Sequence, residues 1–123
     1  MDKYLWIENY CLAKPGVYKV FKEEWGCDLY MIDNKYFIMC GHDKVGREII
    51  TLKQNPETNR LLQEKYPESI VPGYYCNKVH WSSVYFDQNP RDTLLKEMID
   101  EAYLVLFNNF SKKRQIEISE GVI

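Results

Sequence analysis

From Asp2 to Lys14 the apolar positions Tyr4, Ile7 and Cys11, with Leu5 and Leu12 beside them, recur at helical spacing. The run ends at Lys14-Pro15-Gly16, a strong stop signal, so one amphipathic helix is predicted. From Trp25 the pattern changes to short apolar runs broken by turn residues. Cys27–Ile32, Tyr36–Cys40 and Glu48–Lys53 are separated by Asp33-Asn34-Lys35 and by the stretch from Gly41 to Gly46. This predicts a three-stranded antiparallel meander. Asn55-Pro56-Glu57 and Asn89-Pro90-Arg91-Asp92 then share one entry signal: Asn can cap, Pro fits the first helical position, and an acid follows in the first turn. The first predicted helix carries Leu61, Leu62 and Tyr66 before Pro67. The second and longer one carries Leu94, Leu95, Met98, Ile99, Ala102, Tyr103 and Leu106 at intervals of three and four. Between them, Ile70 to Asn77 reads as a Pro- and Gly-containing loop. Trp81–Phe86 has a β-rich composition that suits a returning strand, whose place in the sheet the pattern leaves open. The segment from Ser111 is polar apart from Ile116, Ile118, Val122 and Ile123, with Lys112-Lys113-Arg114 placed to complement the end of the long helix. The expectation is one α+β domain over residues 1–110 followed by a polar tail, 111–123.

Composition narrows the class. A chain of 123 residues forms a single core, and 46% hydrophobic with 15% aromatic content excludes disorder for its body. The longest uncharged runs, Ala102–Ser111 and Ser69–Asn77, are ten and nine residues, against the roughly 18 a membrane-spanning helix needs. The start, Met1-Asp2-Lys3-Tyr4, mixes acid and base, and Glu8 and Asn9 interrupt the early apolar cluster. No export signal is read there, and a cytoplasmic protein is expected. Sixteen Lys and Arg against eighteen Asp and Glu give a net charge of −2 and a pI near 5.7. Any nucleic-acid or anionic-lipid contact must therefore use a local patch. The four cysteines, Cys11, Cys27, Cys40 and Cys76, include no Cys-x-x-Cys pair and are too sparse for a disulfide-stapled domain, so reduced, packed thiols are expected.

The chemically richest stretch is Pro72-Gly73-Tyr74-Tyr75-Cys76-Asn77-Lys78-Val79-His80-Trp81. It sets aromatics, an amide, a cation and an imidazole behind a glycine, and loops so equipped often bind ligands. The alternative is structural: Tyr74 and Trp81 as core anchors, Asn77 capping a short turn, Lys78 and His80 solvated. Cys40 with His42 and Cys76 with His80 supply zinc-type ligands, but not at the spacing of a zinc finger, and no metal is predicted. Nucleophilic catalysis would need Cys76 or Cys40 beside an oriented imidazole, which spacing does not establish. Gly41, Gly46 and Gly73 are isolated, so no phosphate-cradling loop and no nucleotide cofactor are predicted. Lys35, Lys44, Arg47, Lys53 and Lys78 could converge on a strand surface, although Asp33, Asp43 and Glu48 lie among them.

The succession of a first helix, Leu12-Ala13-Lys14-Pro15-Gly16, Trp25-Gly26, Lys35-Tyr36-Phe37, Leu52-Lys53 and Pro72 through Trp81 resembles the MmcQ/YjbR family of small bacterial proteins, over about Leu5 to Leu106. The most specific element is the Pro-Gly-Tyr, Asn-Lys and His-Trp series, in which Tyr75 and Cys76 replace the family's usual His-Met. The resemblance implies a CyaY-like or double-wing α+β fold, an antiparallel sheet with helices on one face, in agreement with the element order above. It also implies DNA binding, a function this family carries by analogy of fold. Carried over by position, Lys53, Asn77, Lys78, His80 and Trp81 match the motif, with Lys53 and Lys78 as phosphate contacts. Frataxin-like proteins share the architecture and bind iron through acids of the first helix. Here only Asp2 and Glu8 precede Glu23, too few for that role. The expectation is a non-catalytic DNA-binding protein without cofactor. The alternative is a protein-interaction or small-ligand module using the Tyr74–Trp81 loop.

Overall fold

The computed structural model describes residues 2–74 and 76–121; Tyr75 of the motif and the apolar ends Val122 and Ile123 lie outside the described residues. A single 3-10 turn at Asp2–Tyr4 leads into α1 (Trp6–Leu12) and then β1 (Tyr18–Lys22), β2 (Cys27–Ile32), β3 (Lys35–His42) and β4 (Glu48–Lys53). There follow α2 (Pro56–Lys65), β5 (Ile70–Pro72), β6 (Trp81–Tyr85), a 3-10 turn at Phe86–Gln88, α3 (Asp92–Phe107) and α4 (Lys112–Ser119).

The predicted meander is β2–β3–β4, and it is the centre of a larger sheet. Six strands pair antiparallel in the order β1-β2-β3-β4-β6-β5. The returning strand β6 slots beside β4, with Ile49 opposite Tyr85 at one end and Lys53 opposite Trp81 at the other. The pattern along the chain does not announce the two edge strands. Tyr18–Lys22 is mostly solvent-facing, and Ile70–Pro72 is three residues ending in a proline, which an edge tolerates because its missing N–H leaves no inner ladder unpaired.

All four helices bury their apolar residues through one face of the sheet. Ile7 and Cys11 of α1, Leu95, Met98, Ile99, Ala102, Tyr103 and Leu106 of α3, and Ile118 of α4 share one core with Tyr30, Ile32, Phe37, Ile38, Ile50, Leu52, Ile70 and Val84, and Leu62 of α2 packs against it. Asn59 and Gln63 of α2 bond the Ser82 hydroxyl of β6. A bulge in β3 adjusts the register. Tyr30 pairs with Ile38 but Met31 pairs with Tyr36, so Phe37 is the extra residue, and both Phe37 and Ile38 join the helix-side core. Tyr36 is thereby turned to the opposite face, where it matters below.

Three sequence expectations are corrected. Asn89 does not open α3: it adopts a left-handed conformation (φ 54°) that closes the preceding 3-10 turn, and the helix starts at Asp92 with Arg91 as its cap residue. Asn55 does precede Pro56 at the start of α2, but its side chain makes no cap. Glu101 of α3 takes that role, accepting the Asn55 N–H (3.0 Å) and the Thr58 hydroxyl (3.0 Å). The tail beginning at Ser111 folds as α4. Ser111 caps it through the Arg114 N–H, Ile118 is fully buried beside Gly16 and Ile32, and Arg114 grips Asp33 with paired bonds of 2.6 and 2.9 Å. Lys112 and Lys113 therefore open α4 rather than close α3. Among the described residues no helix is long and apolar enough to cross a membrane.

Candidate functional site

The second face of the sheet carries no helix. Alternation along the strands sends Cys27, Leu29 and Met31 of β2, Tyr36 and Met39 of β3, and Ile49 and Thr51 of β4 to this side. The loop between β5 and β6 covers part of it. Gly73 is required at the start of that loop: a Cβ there would stand 2.6 Å from the Cβ of Trp81, and the Gly73 N–H donates to the Trp81 carbonyl at 2.9 Å. The Tyr74 N–H donates to the Ser83 hydroxyl (3.0 Å), Ser83 pairs with Thr51 (2.6 Å), and the Tyr74 and Tyr85 hydroxyls meet at 2.7 Å. Burial and that last bond push the Tyr85 phenol up to about 12.

The five motif residues do gather at one end of the sheet, and most of them hold the loop. The Asn77 Oδ1 accepts the N–H groups of Val79 (2.8 Å) and His80 (3.3 Å), a self-contained turn. The Lys78 ammonium donates back to the Gly73 carbonyl at 3.3 Å, and the Asn59 amide holds the Val79 carbonyl at 2.8 Å from below. The His80 carbonyl accepts the Gln54 N–H at 2.9 Å, leaving its imidazole exposed. Trp81 is 8% exposed, packed on the Tyr36 ring at 5.3 Å with the Lys53 ammonium 5.7 Å from its own ring. Asn77 and Trp81 thus have the positions of the structural alternative and His80 is exposed as it expects, whereas Lys78 bonds back to Gly73; Lys53 and Lys78 make no ion pair among the described residues.

A cleft of about 560 Å³ opens on the same face, with Tyr36 between it and the motif residues Cys76 and Trp81. Trp25, Tyr36, Met39 and Ile49 wall it, Cys27, Gly41 and Thr51 form its floor, and Glu24, His42 and Asp43 rim it. The small floor residues are its cause: three adjacent strands place a thiol, a hydrogen and a hydroxyl where larger side chains would fill the space. Gly41 has no alternative, since a Cβ there would meet the Cβ of Cys27 at 2.9 Å. Trp25 projects from the β1–β2 hairpin, 55% exposed, its ring edge-on to Tyr36 at 6.2 Å. None of these residues was predicted as a site. The signal lies in small residues at alternate positions of three strands, legible only once their register is known.

The electrostatics are mixed. Burial pushes the Cys27 and Cys76 thiols up, so both are protonated at neutral pH and poor nucleophiles. Burial, then Cys76, whose sulfur lies 3.9 Å from the Tyr36 hydroxyl, pushes Tyr36 up to about 12. Among the described residues no three of His, Cys, Asp and Glu are grouped to hold a metal ion, and all four cysteines are free.

An antiparallel sheet with helices on one face and a loop-flanked cleft on the other defines a small α+β domain of the kind that the comparisons with known proteins identify. The YjbR family matches residues 12–105, and the chain belongs to that family. YjbR of Escherichia coli K12 is 27% identical over 107 residues, covering 87% of this chain and 89% of its own. YbdF of Escherichia coli O157:H7 is 33% identical over 94 residues, covering 76% and 75%. Among solved structures, Deinococcus radiodurans protein DR2400, with a DUF419 domain, superposes with a TM-score of 0.82 at 24% identity, covering 92% of this chain and 85% of that one. A Pseudomonas syringae protein superposes at 0.65 and 18% identity, covering 79% and 92%. These two likenesses establish the fold, α+β with a six-stranded antiparallel sheet.

Proposed function

We propose that this protein is a non-catalytic small-molecule-binding domain whose site is the cleft on the helix-free sheet face. The observation that carries this reading is a concave, largely apolar hollow of ligand size, built by rigid strands and edged by a few polar groups. The motif loop supports it from one side, through Trp81 and Cys76 against Tyr36. The test is a fragment screen read at the Trp25 indole N–H by NMR, with Trp25→Ala to assign that signal. Fragments that shift Trp25, and whose affinity read at the Met39 methyl falls in Trp25→Ala, are expected; a library that leaves Trp25 unmoved overturns the reading.

One observation favours DNA binding as a second reading. Lys53 and Lys78 stand without ion pairs among the described residues at the same end of the sheet, beside the exposed His80. Two phosphate contacts predict a log-log salt slope of about −2. Saturable duplex binding with that slope, weakened by Lys53→Ala and Lys78→Ala, would carry the DNA reading, and its absence at low salt would end it.

A further inference from the structure

We propose that the cleft takes a small organic cation: an aromatic ring carrying an alkylammonium group. This inference rests on the cleft being the binding site and names what binds there. The cleft's described lining holds two carboxylates, Glu24 and Asp43, beside His42, and no lysine or arginine is among the described lining residues.

Both carboxylates are prepared to meet a cation. Glu24 is held below the usual carboxylate range by its own backbone N–H and then by Lys22, so it is ionised well below neutrality. Asp43 is fixed in direction because its Oδ1 accepts the N–H groups of Val45 (3.0 Å) and Arg47 (2.9 Å). Its second oxygen accepts no bond among the described residues and is available to a ligand. Lys22 pairs with Glu24 from outside the lining, so an anionic ligand would meet the Asp43 carboxylate with no lysine or arginine among the described lining residues to bind it.

The walls suit a flat ring. Trp25 and Tyr36 meet at 72°, forming a corner in which a third ring packs against one face and one edge, over the Met39 thioether. The chain already displays the chemistry beside the cleft. The Lys22 ammonium lies 5.3 Å from the Trp25 ring centroid and 3.2 Å from the Glu24 carboxylate, so one indole face and one acid jointly hold an internal ammonium. A ligand ammonium placed between Glu24 and Asp43 would use the same pairing from inside the cleft.

The test compares three probes that share an indole ring: tryptamine, uncharged 3-methylindole and indole-3-propionate. They are titrated into the unmodified full chain and followed at the Trp25 indole N–H by NMR. Tryptamine is expected to bind about tenfold more tightly than indole-3-propionate, with 3-methylindole between them. The Glu24→Gln and Asp43→Asn double variant is expected to erase most of that difference. The Asp43→Asn change keeps the Oδ1 acceptor of the turn, and the comparison within the unmodified protein needs no variant. If 3-methylindole or indole-3-propionate shifts Trp25 with equal or higher affinity, the cleft binds ligands but the cation assignment is overturned. If none of the three shifts Trp25, and the fragment screen leaves it unmoved too, the cleft reading itself fails.

Discussion

Replacing Trp81 separates a recognition residue from a structural one. The side chain is 8% exposed, packed on Tyr36, flanked by Lys53 and pressed against the Cβ-free side of Gly73. A buried Trp removes roughly 150–250 Å² from water, which at about 25 cal/mol per Å² is about 4–6 kcal/mol. Partial collapse of the loop into the space would return some of this, so Trp81→Ala is expected to cost about 4 kcal/mol, within the range of about 3–5 for such truncations. At this chain length that lowers the Tm by roughly 12–20 °C. Trp81→Phe keeps a ring on Tyr36 and should cost about 1–2 kcal/mol. The assay is urea and thermal unfolding followed by far-ultraviolet circular dichroism, because removing one of three tryptophans changes fluorescence for trivial reasons. A loss below about 1.5 kcal/mol for Trp81→Ala, accompanied by abolished duplex binding, would refute the structural argument and return Trp81 to the DNA interface.

Two further outcomes test the C-terminal helix. Arg114 holds the Asp33 carboxyl below its usual range through paired hydrogen bonds, so the folded value lies beneath the unfolded one. The stability it contributes is therefore present above about pH 4 and is lost as the pH falls through the lowered folded value. Asp33→Asn, which tolerates the left-handed backbone there (φ 55°), should cost about 1 kcal/mol at pH 7, and the difference should shrink in acid; a pH-independent difference in urea unfolding would contradict this. Ile118→Ala should cost about 2–4 kcal/mol and speed hydrogen exchange across α4, whereas a loss under about 1 kcal/mol would mean that α4 does not belong to the core.

Local pattern carries far in this chain. The meander, the helix opened by Pro56, the body of the long helix, the strand at Trp81 and the α+β class are all written in short-range periodicity and turn residues, because alternation and 3.6-residue spacing reflect a partition between core and solvent that each segment makes for itself. The gathering of Lys53, Asn77, Lys78, His80 and Trp81 at one place was also legible, through the resemblance that their motif carries. Their roles were legible only as two alternatives, one of them with Asn77 closing a short turn and Trp81 as an anchor. That a Lys reaches back to a carbonyl five residues earlier depends on loop geometry that composition does not encode. The edge strands β1 and β5 lack a buried face strong enough to mark them, and α4 is mostly polar, docked by Ile118 and one ion pair across 81 residues. The cleft is the clearest case of all. Cys27, Gly41 and Thr51 are ordinary in the chain, and they become a floor only when antiparallel register sets three strands side by side and a bulge at Phe37 turns Tyr36 to join them. Partition between core and solvent is a property of neighbours in sequence; a hollow is a property of neighbours in space, so only the folded sheet could create it.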